Sequence, residues 1–142
     1  MKSKRPISLF MIGVSCVLLL SCGRLNRWGR LKQIDSFTRV AAIAKKLDNR
    51  RVESDRPLAD SEIDRIIMSV GSGLDGWGHK IHILKTADDH SERYVVMSPG
   101  RDGKLDFPDT EQYFTLPRVD IRGLFNRDIL FRDGRCVTNA GK

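Results

Sequence analysis

An α+β domain is what this 142-residue sequence predicts, with helices first and antiparallel strands after. Three observations carry that expectation. Apolar residues between Leu31 and Leu47 recur at steps of three and four, which marks one face of an amphipathic helix. After residue 78 the apolar runs become short and strand-like, as in Ile81-His82-Ile83-Leu84 and Tyr94-Val95-Val96-Met97. Near the end, Asp133-Gly134 lies between two such runs and is a strong hairpin turn signal. The expected architecture is an N-terminal amphipathic helix and a second short helix packed on a small antiparallel β-sheet.

The elements follow in order. The first helix is expected from Leu31 to about Arg50, with Leu31, Ile34, Phe37, Val40, Ala41, Ala44 and Leu47 along its apolar face. Asn49 to Pro57 is polar and ends in proline, so it reads as a connection. A second helix follows, capped at Asp60 or Ser61 with Asp64 completing a capping box. Its apolar face is Ile63, Ile66, Ile67 and Val70, and Gly71-Ser72-Gly73 ends it. A strand over His79–Leu84 and another over Arg93–Met97 form a hairpin across a polar turn, Ala87 to Glu92. Glu111 to Leu116 is expected as a short third strand, and 117–127 as irregular. Asp128–Phe131 and Arg135–Val137 make the last hairpin.

The first 22 residues address location. Lys2, Lys4 and Arg5 precede an apolar run from Ile7 to Leu20. Its roughly 14 residues fall short of the ~20 needed to span a bilayer as a helix. A basic head and a short apolar body describe a secretory signal peptide. Leu19-Leu20-Ser21-Cys22 resembles the bacterial lipobox, which implies cleavage before Cys22 and diacylation of its thiol. The expected organisation is a signal peptide over 1–21, a lipidated cysteine and linker over 22–30, and a folded domain over 31–142. The resemblance places the protein in the bacterial cell envelope, lipid-anchored, on the periplasmic face of the outer or inner membrane. Two or more acyl chains give stable anchoring.

Charge and cysteines agree with that location. Removing the signal's three positive charges lowers the net charge from +7 to +4. The densest basic patch is Arg24, Arg27, Arg30 and Lys32, just after the anchor. Such a stretch is attracted to anionic headgroups by about 1 kcal/mol per residue. No aromatic stacking motif accompanies it, so no nucleic-acid partner is expected. Of three cysteines, Cys16 leaves with the signal and Cys22 is lipidated. Cys136 is left without an intrachain disulfide partner and reads as a buried, inert thiol.

Asp75–His79, Tyr94–Gly103 and Asp128–Phe131 are three segments that together resemble the soluble domain of the major pseudopilin family of type II secretion, the G-type pseudopilins. Asp75-Gly76-Trp77-Gly78-His79 is similar to the family's segment entering the first strand. Tyr94-Val95-Val96-Met97-Ser98-Pro99-Gly100-Arg101-Asp102-Gly103 is similar to its second strand and following loop. Asp128-Ile129-Leu130-Phe131 is similar to the acidic-Ile element that closes that loop. The chain departs from the family at its start, where no prepilin peptidase site precedes a long apolar helix. The resemblance therefore implies a pseudopilin-like domain on a lipid anchor, acting without catalysis through protein partners of the envelope, secretion machinery among them.

The same resemblance implies calcium. Asp102 would supply a carboxylate, the Pro99 carbonyl a backbone oxygen, and Asp128 with Asn126 would close the site. Calcium takes about six to eight oxygens, so water and backbone complete the shell. The stretch also half-fits an EF-hand loop, with Asp102, Gly103, Asp106 and Asp109 at positions five, six, nine and twelve. A strand precedes it where an EF-hand needs a helix, which leaves Asp106 and Asp109 as alternative ligands. Gly-Arg-Asp-Gly is equally a good turn by itself, and Arg101 and Lys104 are near enough in sequence to pair its aspartate.

Catalysis has little support. His79 and His82 are three apart on the expected strand and would point to opposite faces. His90 sits in a polar turn, and Asp88-Asp89 read as solvated turn residues. The competing class is a small envelope hydrolase or ligand-binding lipoprotein on an unrelated fold.

Overall fold

The computed structural model describes residues 8–54, 56–88, 91–116 and 126–137. The order of elements is α1 (Ser8–Glu53), α2 (Asp60–Val70), β1 (His82–Asp88), β2 (Ser91–Ser98), α3 (Gln112–Thr115), β3 (Ile129–Arg132) and β4 (Arg135–Cys136). The four strands form one antiparallel sheet in the order β1-β2-β3-β4. Every sequential pair of strands is adjacent, and residues 99–128 connect β2 to β3, the described parts 99–116 and 126–128 forming an excursion from the sheet. The fold is α+β.

α1 lies across one face of the sheet. Its Val40, Ile43, Ala44 and Leu47 are buried against Tyr94 and Val96 of β2 and Ile129 and Phe131 of β3. Phe37 meets Phe131 edge-on, with ring centroids 5.2 Å apart. The opposite face of the sheet carries Val95, Met97 and Leu130, covered by Tyr113 of α3 and by Leu105 and Phe107 of the excursion. β2 is thus covered on both sides, which is why its sequence is a continuous apolar run rather than an alternation.

α2 is held at its start by Glu62, whose carboxylate accepts the Ala59 N–H at 3.2 Å. That bond is the main reason the Glu62 carboxyl sits below its ordinary range. The cap is therefore Ala59, not Asp60 or Ser61, because Glu62 reaches back to it where Asp64 would have had to reach Ser61. In the final hairpin, Asp133 (φ 48°) and Gly134 (φ 72°) both take the left-handed conformation, as a two-residue turn matching strand twist requires.

Five expectations need correction. Leu31 and Ile34 do not share the buried face of α1 with Val40, Ala44 and Leu47 but are exposed, because successive steps of three carry the apolar stripe around the helix. Residues 22–30 do not form a linker but lie inside α1, because their leucine, arginines and tryptophan are helix-compatible and no proline interrupts them. The first strand begins at His82, since His79 is drawn into a turn and Leu74 pairs with Lys80 as an isolated bridge. The hairpin between β1 and β2 is tighter than expected, with β1 reaching Asp88 and β2 starting at Ser91. Glu111–Leu116 is not a strand: Gln112–Thr115 makes one helical turn that buries Tyr113. His90 and most of 117–127 lie outside the described residues.

Candidate functional site

The site grows from the excursion after β2 and from the turn before β1. Asp75 is only 3 % exposed. One of its carboxylate oxygens accepts the N–H groups of Trp77 (2.9 Å) and His79 (2.8 Å), which closes a tight turn. The other accepts the Ser98 hydroxyl at 2.5 Å, tying that turn to the end of β2. The Gly76 N–H donates to the Ser36 hydroxyl on α1 at 2.9 Å. A Cβ at Gly76 would lie 2.2 Å from the Lys32 carbonyl oxygen, so only glycine lets this turn seat against the helix. Asp75-Gly76-Trp77-Gly78 thus joins α1, β1 and β2 at one point.

The loop itself starts at that junction. Pro99 is fully buried. Gly100 (φ 67°) and Gly103 (φ 69°) bracket the turn that presents Asp102 to solvent. The Asp102 carboxylate accepts the Lys104 N–H at 3.1 Å. His79 Nδ1 bonds the Gly100 carbonyl at 2.9 Å, which requires a proton on Nδ1, and its ring lies against Gly103. The histidine is therefore a strut for the loop.

The far end of the excursion closes on Asp128, 1 % exposed. Its Oδ2 accepts the Tyr113 hydroxyl (2.5 Å) and the Asp106 N–H (3.0 Å). The Asp128 N–H in turn donates to Asp106 Oδ2 at 3.0 Å, while Asp106 Oδ1 faces Arg127 at 3.2 Å. The Tyr113 hydroxyl also accepts the Phe107 N–H at 3.0 Å. Asp128 Oδ1 is buried and has no hydrogen-bond partner among the described residues. Burial pushes the Asp128 carboxyl up to about 6; hydrogen bonds from Tyr113 and Asp106 N–H pull against this, and the charges of Asp106 and Asp102 add to the rise. Burial, and then the bond to Asp128, hold the Tyr113 phenol well above its ordinary value.

Of the residues expected to bind calcium, Asp102 is exposed near the start of the excursion and Asp128 is buried at its end. Pro99 is at the base of the same loop, and Asn126 is exposed beside Arg127 and Asp128. Asp106 has both carboxylate oxygens engaged, and Asp109 is exposed and accepts the Glu111 N–H at 3.0 Å. Asp106 thus has no carboxylate oxygen to spare, whereas Asp109 Oδ2 carries no hydrogen bond among the described residues. Among the described residues no three His, Cys, Asp or Glu side chains are placed to share a metal, so a cation here would rely on backbone and water oxygens. The unpartnered, buried Oδ1 of Asp128 is the feature of this region that bears on a cation.

Cys22 falls within α1, and its side chain lies outside the described residues. Cys136 is half-buried against the core. His82 is held below its ordinary value by burial and then by Lys80, in a groove between α2 and β1 that also contains Asp60 and Asp64. Sequence reasoning missed Tyr113, which ties the excursion to Asp128 from 15 residues away, and His79, which reaches across 21. No spacing pattern signals such contacts.

Comparison with protein-family models, curated proteins and solved structures finds no match. The resemblance to the G-type pseudopilins rests on the three segments alone.

Proposed function

We propose that this chain is a non-catalytic, lipid-anchored protein of the bacterial cell envelope. Its α+β domain would act as a structural or interaction component linked to protein secretion, with a calcium ion stabilising the excursion between β2 and β3. One observation carries this reading: the three segments that resemble pseudopilin G-type domains converge. Asp75 of the first bonds Ser98 of the second at 2.5 Å, and Ile129, Leu130 and Phe131 of the third pair with Ser98, Met97 and Val96 of the second in the sheet.

Asp128 and Asp102 would hold the ion through carboxylate oxygens, with the Pro99 carbonyl and Asn126 as further donors. Bound calcium would supply the positive charge that Asp128 Oδ1 lacks in its buried position. Its role is to pin residues 99–106, and its binding energy becomes folding energy. Cleavage ahead of Cys22 would leave residues 22–53 of α1 on the mature protein.

Thermal unfolding of the lipidated chain in detergent, with calcium and with chelator, tests the reading. Calcium at about 100 times its dissociation constant adds roughly 2.7 kcal/mol. For a domain of this size the midpoint rises on the order of 3–6 °C. Asp102→Ala is expected to abolish the rise. An intact mass showing acyl chains on Cys22, absent in Cys22→Ser, tests the anchor. An unchanged midpoint with and without calcium contradicts the metal; an unmodified Cys22 contradicts the anchor.

A further inference from the structure

α1 has a second face that the domain does not use. Trp28, Leu31 and Ile34 are 66 %, 56 % and 62 % exposed. At about 100° per residue Leu31 and Ile34 point away from Ser36, Val40, Ile43 and Leu47, which are buried, and Trp28 stands at the edge of that outward face, next to Leu31. Arg27 and Arg30 are exposed among them, and neither makes an ion pair among the described residues. Residues 23–34 hold Arg24, Arg27, Arg30 and Lys32 and no carboxylate. The first acidic residue, Asp35, is paired with Arg39 at 2.9 Å. Lys32 is turned to the domain, 5.5 Å above the Trp77 ring.

We propose that this face of α1, from Arg27 to Ile34, lies in the headgroup region of an anionic bilayer and forms a second attachment beside the lipid anchor. The chemistry of the face selects that occupant. A tryptophan and two aliphatic side chains interleaved with arginines suit the boundary between acyl chains and phosphates. A second copy of this chain is a poor fit, because a two-fold contact through this face sets arginines against arginines. Position agrees as well: the face continues the helix that carries Cys22, so a bilayer holding that cysteine is within reach. The proposal rests on the lipoprotein reading for this placement.

Trp28 reports the answer directly. The mature lipidated chain carrying Trp77→Phe has Trp28 as its only tryptophan. On vesicles of phosphatidylcholine and phosphatidylglycerol, with a fraction of the lipid brominated near the top of the acyl chains, Trp28 emission is expected to shift to the blue and be quenched by roughly half. Arg27→Glu with Arg30→Glu, or vesicles of phosphatidylcholine alone, should reverse most of both effects. If Trp77→Phe does not fold, the difference between the native chain and Trp28→Phe isolates the same signal. An unshifted, unquenched Trp28 on vesicle-bound protein overturns the proposal, as does quenching indifferent to lipid charge or to the arginines. The mass of Cys22, measured on the same sample, separates failure of the anchor from failure of this face.

Discussion

The two sides of the sheet are stabilised by different physics. Against α1 the contacts are apolar: Val40, Ile43, Ala44 and Leu47 on Tyr94, Val96, Ile129 and Phe131. On the other side, apolar residues are fewer, and the excursion between β2 and β3 is fastened at its end by the buried carboxylate of Asp128, while its start is tied from the α1 side by Asp75. Apolar burial is indifferent to pH and to cations. The Asp128 carboxylate is not, because burial disfavours its charged form. The same fold therefore has a stable half and a conditional half, and the segments with the pseudopilin resemblance contribute to both.

The largest expected effect tests the stable half. Leu47→Ala empties a fully buried position between helix and sheet, and should cost about 2–5 kcal/mol in urea denaturation. The loss should be the same with calcium or chelator; a calcium-dependent loss would mean that the halves are not separable. Asp75→Ala should cost about 2–4 kcal/mol, since it leaves the Trp77 and His79 N–H groups and the Ser98 hydroxyl without their acceptor. Proteolysis should then cut first within 99–106, at the end that Asp75 holds. His79→Ala removes one strut at Gly100 and should cost about 1 kcal/mol. Faster amide exchange is expected at 100–104 and not in β2.

Much of the apolar half was legible in the sequence. The run Tyr94–Met97 and the turn Asp133-Gly134 encode their elements locally, and the steps from Leu31 to Leu47 encode the helix, although only the part from Val40 to Leu47 packs on the sheet while Leu31 and Ile34 are exposed. The conditional half was legible only as motifs. Glu111–Leu116 alternates enough to pass for a strand, yet Tyr113 must place its hydroxyl on Asp128, and a helical turn does this. That preference comes from a tertiary contact, which overrides a short local pattern. The linker expected at 22–30 failed for the opposite reason: a polar composition says nothing against helix when no proline is present. Asp102 and Asp128 could be named from the sequence, whereas the unpartnered Oδ1 that makes Asp128 the centre of the site could not.

The pH dependence of stability tests the account of the conditional half most directly. In the unfolded chain Asp128 titrates near the ordinary aspartate value of about 4; in the fold it titrates at about 6. Between these values the native state holds the extra proton, so stability falls as pH rises from about 4 to 6 and levels off above. The expected fall in chelator is roughly 2–3 kcal/mol, following about 1.4 kcal/mol per pKa unit. Asp128→Asn should remove that fall. Calcium binds the ionised carboxylate, so it should restore stability above pH 6 and have little effect at pH 4. A wild-type profile that matches Asp128→Asn, and that calcium leaves unchanged at pH 7, would contradict the claim that this buried carboxylate governs the loop.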